Sequence, residues 1–116
     1  MAVVDAVIAD RALAAMRVVA QWGRVRAAYL FGSQVQGTAD QWSDIDIAVF
    51  VEGAEEWDFD RLSRVCGVVQ RQVGLDIEMH VFPASSYEHP VQASFAQYIV
   101  DHGAPLNVDD VEPMAR

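Results

Sequence analysis

Residues Gly32 to Asp46 read Gly-Ser-Gln-Val-Gln-Gly-Thr-Ala-Asp-Gln-Trp-Ser-Asp-Ile-Asp, directly after the apolar run Ala27-Ala28-Tyr29-Leu30-Phe31. Gly32-Ser33 stands where a strand would end and turn into a helix. Such a turn offers backbone N–H groups to a phosphate, and glycine lets the backbone approach closely. Ten residues separate Ser33 from Asp44-Ile45-Asp46, which alternates as a strand does. Successive strand side chains point to opposite faces, so Asp44 and Asp46 share one face about 7 Å apart, with Ile45 and Ile47 on the other. Paired carboxylates of this kind repel each other and disfavour a strand interior, a conflict that a hard cation between them relieves. A phosphate cradle and metal-binding acids in one short stretch point to metal-assisted nucleotidyl transfer.

Working outward, Val4, Val7, Ile8, Ala12, Ala15, Val18 and Val19 recur at helical spacing, which predicts an amphipathic helix from Ala2 to about Gln21, stopped near Gly23. A first strand follows over Val25 to Phe31, then a short helical turn through Gln34 to Gly37. The second strand is predicted over Asp44 to Val51, closed by Gly53. Leu62, Val65, Val69 and Val73 predict a second long helix over Glu55 to Val73, ended by Gly74. Leu75 to Phe82 alternates again and makes a third strand, with Asp76, Glu78 and His80 on one face and Ile77, Met79 and Val81 on the core face. His80 reads as an ordinary polar-face histidine. Pro90 is expected in the first turn of a last helix containing Phe95, Tyr98 and Ile99, with Gly103 as its stop and Pro105 beyond. The reading is an α/β (α+β) fold: a small mixed β-sheet of three or more strands with helices packed on one face. Residues 1–106 form one domain, and 107–116 are expected to be a flexible C-terminal tail.

The pattern Gly-Ser-x10-Asp-x-Asp, flanked by Tyr29-Leu30-Phe31, Gly37 and Ser43-Asp44-Ile45-Asp46-Ile47-Ala48-Val49, resembles the signature of the DNA polymerase beta-like nucleotidyltransferase superfamily, specifically its short minimal nucleotidyltransferases. The resemblance runs from Tyr29 to Gly103. It implies a Mg²⁺-dependent transferase in which two Mg²⁺ ions are held by Asp44, Asp46 and a third carboxylate on the neighbouring strand. Gly32 and Ser33 would position the phosphates of a nucleoside triphosphate, with ATP as the implied donor. Asp76 and Glu78 both fit the setting of the third acid. The segment Ile77-Glu78-Met79-His80-Val81-Phe82 is the more similar to the family, which favours Glu78 as catalytic and metal-binding. Some relatives are antitoxins that attach AMP to a tyrosine of a HEPN-domain ribonuclease toxin, so such a partner is implied for this chain. One departure stands out: Gln34 and Gln36 occupy positions where many members carry arginine, removing two cations that steady the triphosphate. Two other readings therefore stay open. One is a transferase acting on a small molecule. The other is a non-catalytic nucleotide- or partner-binding module with a degenerate site, presenting Trp22, Trp42 or Trp57 as an interface.

Composition narrows the alternatives. A chain of 116 residues, 53% hydrophobic, has room for one globular domain. The single Cys66 precludes an internal disulfide framework and reads as a small packed hydrophobe. Met1 to Ile8 lacks a basic signal-peptide start, and the longest stretch free of Asp, Glu, Lys and Arg is the 13 residues from Ala27 to Ala39, short of the ~20 that a membrane span requires. A soluble, cytoplasmic protein is expected. Seventeen acids face eight bases, all arginine, for a net charge of −9. A nucleic-acid backbone would be repelled by such a surface, so no direct nucleic-acid partner is expected, while a metal-neutralised nucleoside triphosphate is still admitted. A homodimer is left open. Neither a P-loop nor a Gly-x-Gly-x-x-Gly motif is present, and Ser33 lacks the surroundings of a nucleophile elbow.

Overall fold

Four strands, β1 (Val25–Phe31), β2 (Ile45–Val51), β3 (Ile77–Pro83) and β4 (Ala104–Leu106), form one mixed sheet in the order β3-β2-β1-β4. β1 runs antiparallel to β2 and β4, and β2 runs parallel to β3. Among the described residues the α-helices that accompany them are α1 (Ala6–Val19), α2 (Ser33–Gln36), α3 (Phe59–Gln72), α4 (Ser85–Glu88) and α5 (Phe95–His102). The computed structural model describes residues 5–37, 39 and 43–111. The predicted helix start at Ala2, as well as Trp42, falls outside those residues.

Side-chain alternation divides the core in two. Leu30 of β1, Ile45, Ile47, Val49 and Val51 of β2, and Ile77 of β3 face α1 and α3, meeting Ala12, Met16, Val19, Val65 and Val69 in the larger cluster. Each fully buried aliphatic side chain there is worth about 1.5–3 kcal/mol relative to exposure. The opposite face carries Ala27, Tyr29, Ala48 and Phe50, covered by Ala96 and Ile99 of α5. The sheet therefore has α1 and α3 on the expected face and a smaller aromatic layer under α4 and α5 on the other.

Local chemistry explains where the elements begin. Asp5 caps α1, its carboxylate accepting from the N–H groups of Val7 and Ile8 at 2.8 and 3.4 Å. The long helix expected from Glu55 is broken: a 3₁₀ turn at Ala54–Glu56 ends at Trp57 in extended conformation, and Asp58 starts α3 by accepting from Arg61 N–H at 2.8 Å. The Asp58 carboxylate thereby satisfies one of the first-turn N–H donors that have no partner within α3. α5 begins at Ser94 rather than Pro90. Ser94 Oγ accepts from Gln97 N–H at 3.1 Å, and Gln97 Oε1 accepts from Ala93 N–H at 2.7 Å, a reciprocal pair close to a capping box. β3 starts at Ile77 rather than Leu75, because Ile77 N–H closes a turn on Gly74 C=O at 3.2 Å, leaving Asp76 in that turn. Likewise β2 starts at Ile45, whose register partner is Ile77, so Asp44 immediately precedes the strand.

β4 was not expected as a strand. Pro105 sits opposite Tyr29 on the sheet's outer strand, a position that tolerates a residue with no N–H. Within the stretch expected as a tail, Val108 and Val111 pack on the larger cluster, Val111 at 3% exposure. Residues 112–116 lie outside the described residues.

Candidate active site

Three strand ends meet at one edge of the sheet. Register places Phe31, the last residue of β1, beside Asp46 of β2, and Asp46 beside Glu78 of β3. Because Asp46 and Glu78 are register partners on parallel strands, both point to the aromatic face, away from α1 and α3. Asp44 is exposed at the mouth of β2 and reaches the same carboxylates: Glu78 is held above the ordinary glutamate range, chiefly by its hydrogen bond with Asp44, then by burial and by the charges of Asp46 and Asp44. The cause is the crowding of like charges, which favours sharing a proton.

Gly32 explains why β1 must end there. Its φ of +79° lies in the left-handed region, and a Cβ on it would stand 2.8 Å from Asp46 Oδ2. Any other residue would be both strained and in collision with the carboxylate. Ser33 then opens α2, whose start has no side-chain cap.

His80, two residues beyond Glu78 on the same face, brings Nε2 to 3.2 Å from Asp46 Oδ1. Its ring lies 5.0 Å from Phe31 and 6.1 Å from Phe95, centroid to centroid. The period-two pattern that put His80 on the acid face was the available signal for this contact; its pairing with Asp46 required the β2–β3 register.

Asp76 goes elsewhere. Its two carboxylate oxygens accept from Arg11 Nη1 and Nη2 at 2.8 and 2.5 Å, tying the turn before β3 to α1. That hydrogen-bonded pair holds the Asp76 carboxyl below its ordinary range and raises the Arg11 guanidinium. Of the residues read as candidates, Asp44, Asp46 and Glu78 converge beside Gly32 and Ser33, and Asp76 is engaged on the other side of the strand entry. Among the described residues no arginine pairs with Asp44, Asp46 or Glu78; Arg26 instead pairs with Glu88 at 3.3 Å, near the far end of β1. Trp22 and Trp57 pack, half-buried, against the larger cluster. Burial raises the Cys66 thiol, and Cys66 Sγ lies 3.8 Å from Met79 C=O, as an inert packed thiol would.

Among the described residues no three His, Cys, Asp or Glu side chains form a ready-made cation cage. The donor set nonetheless suits a hard divalent ion. It is all carboxylate oxygen, and a cation placed there would relieve the repulsion that now raises Glu78.

The fold and this edge define a class of protein. The sequence matches the profile of the family described as "Nucleotidyltransferase domain" over residues 14–102. The chain belongs to that family, within the DNA polymerase beta-like superfamily that includes the minimal nucleotidyltransferases. Its fold is similar to that of a Sulfolobus solfataricus protein provisionally assigned as a nucleotidyltransferase, whose crystal structure was determined at 1.40 Å. The TM-score is 0.50 at 20% identity, covering 70% of this chain and 75% of that one. No protein of curated function matches the chain. Among the described residues no helix is long and apolar enough to cross a membrane.

Proposed function

We propose that this chain transfers a nucleoside monophosphate from a nucleoside triphosphate to a hydroxyl acceptor, with Asp44, Asp46 and Glu78 as the catalytic and metal-binding acids. One observation carries the reading: in-register Asp46 and Glu78, joined by Asp44, converge beside the Gly32 turn, where a Cβ would stand 2.8 Å from the Asp46 carboxylate. In the overall reaction the acceptor oxygen bonds to the α-phosphorus, the bond from that phosphorus to the bridging oxygen breaks, and pyrophosphate leaves. The three acids would hold two Mg²⁺ ions, which when bound supply charge neutralisation at the reacting phosphate. Gly32 and Ser33 would receive the outer phosphates on backbone N–H groups. Glu78, on the same face as Asp46, would also be the acid to take the proton from the acceptor hydroxyl.

ATP is the donor in this reading, and the acceptor is a tyrosine of a HEPN-domain partner. Support comes from the resemblance to antitoxin transferases carried by Gly32-Ser33 and Asp44-Ile45-Asp46. The test is incubation with Mg²⁺ and each α-labelled nucleoside triphosphate beside a co-expressed HEPN-domain protein. Label from ATP should appear on the partner and vanish with Asp44→Ala. Absence of label on any acceptor, with partner binding intact, would support the non-catalytic module, for which the replacement of basic residues by Gln34 and Gln36 is the specific argument.

A further inference from the structure

Phe95, the first residue of α5, is 51% exposed although it stands in an aromatic cluster. Its ring centroid lies 5.6 Å from that of Phe31, 6.1 Å from His80 and 6.1 Å from Phe82, with interplanar angles of 83°, 80° and 64°. All three contacts are steep rather than stacked, and about half of the residue's surface stays open to solvent. Two of the three neighbours lead straight to the acids. Phe31 is the register partner of Asp46, and His80 is hydrogen-bonded to it. The ring is also held in place, since Ser94 and Gln97 lock the start of α5, and Ala93 before them takes a left-handed φ of 63°. Backbone strain of this kind persists where the surroundings fix a geometry.

We infer that Phe95 is the platform on which the base of the bound nucleotide stacks, an inference that rests on Asp44, Asp46 and Glu78 being the nucleotide site. A nucleobase is tethered through its ribose to the phosphate that those acids serve, so a flat apolar surface next to Asp46 lies within the reach of that tether. The charge inventory gives a reason for it. The chain has no lysine, Arg11 is committed to Asp76 and Arg26 to Glu88, and Gln34 replaces a cation where relatives have one. Base–aromatic stacking adds nucleotide affinity without a cation, worth about tenfold per base. Because any base has a π-face, the platform secures a nucleobase without choosing which one.

Isothermal titration in Mg²⁺ with two ligands, ATP and inorganic tripolyphosphate, tests this on the full chain. Phe95→Ala should weaken ATP binding about tenfold and leave tripolyphosphate binding unchanged. Phe95→Leu, which keeps apolar bulk without a ring, should behave like the alanine variant, and Phe95→Trp should restore ATP affinity. Unchanged ATP affinity in the alanine and leucine variants would overturn the platform, as would equal losses for both ligands, which would mark Phe95 as structural. Unchanged ATP affinity with a raised KM for the acceptor would reassign the ring to the acceptor. Wild-type protein that binds neither ligand would bring down the nucleotide-site reading itself and the platform with it.

Discussion

Asp76 and Glu78 stand two residues apart, and the fold gives them opposite surroundings. Asp76, in the turn before β3, is neutralised by a two-pronged contact with Arg11 and sits below its ordinary pKa. Glu78, one register step into the strand, meets Asp44 and Asp46 and sits above its own. One acid fastens a helix to the sheet. The other is held where its charge is unwelcome, and placements of that kind are found where a ligand completes the electrostatics. The same contrast separates the two faces of the sheet. The face toward α1 and α3 is continuous aliphatic core, and the face toward α5 ends in carboxylates, a histidine and a half-exposed phenylalanine.

The largest expected effect follows from removing the crowded acids. Asp44→Ala with Asp46→Ala should lower nucleotidyl transfer by on the order of a thousandfold, as loss of several kcal/mol of charge stabilisation would give. Its thermal midpoint should hold or rise, because like-charge repulsion is removed. A double variant that unfolds would show that the acids are structural and erase the contrast. Gly32→Ala comes next: a Cβ at 2.8 Å from Asp46 Oδ2 displaces that carboxylate, and transfer should fall about a hundredfold, the usual penalty for a misplacement near 1 Å. Activity within twofold of wild type would mean that Asp46 need not be where it is.

Stability should separate Asp76 and Glu78 by the direction of their pH dependence. For Asp76 the folded pKa lies below the ordinary 3.8, so its contribution is present above that value and is lost as the pH falls through the lowered one. Wild type should therefore exceed Asp76→Asn in stability at neutral pH by up to about 1 kcal/mol, since the pair is partly solvent-screened, and the gap should close in acid. Glu78 has the opposite sign: its folded pKa lies above the ordinary 4.5, so metal-free wild type should gain on Glu78→Gln as the pH is lowered through that raised value. Urea unfolding across a pH series reads both trends, and parallel trends would contradict the assignment.

Much of this was legible in the chain because it is local. The alternation Asp44-Ile45-Asp46 fixes which side chains share a face, and the limits of β1 at Val25 and Phe31 follow from an apolar run ended by a glycine. Capping chemistry was also present but was outweighed by apolar periodicity: Asp58 splits the expected long helix, and Ser94-x-x-Gln97 starts α5 four residues after Pro90. What alternation could not supply was register. Asp76 and Glu78 are equivalent by the period-two rule. Only the turn closed by Gly74 and the pairing of Ile45 with Ile77 put one in the reach of Arg11 and the other beside Asp46. β4 escaped notice because a three-residue edge strand containing proline has almost no strand signal of its own.

The most direct test is calorimetric titration of Mg²⁺-ATP into wild type, Glu78→Gln and Asp76→Asn under identical conditions. The account predicts that Glu78→Gln loses at least about tenfold in affinity, as removal of one charged ligand contact would cause, while Asp76→Asn binds as wild type does. A loss in Asp76→Asn with Glu78→Gln unaffected would contradict it, and would move the third acid to the turn before β3.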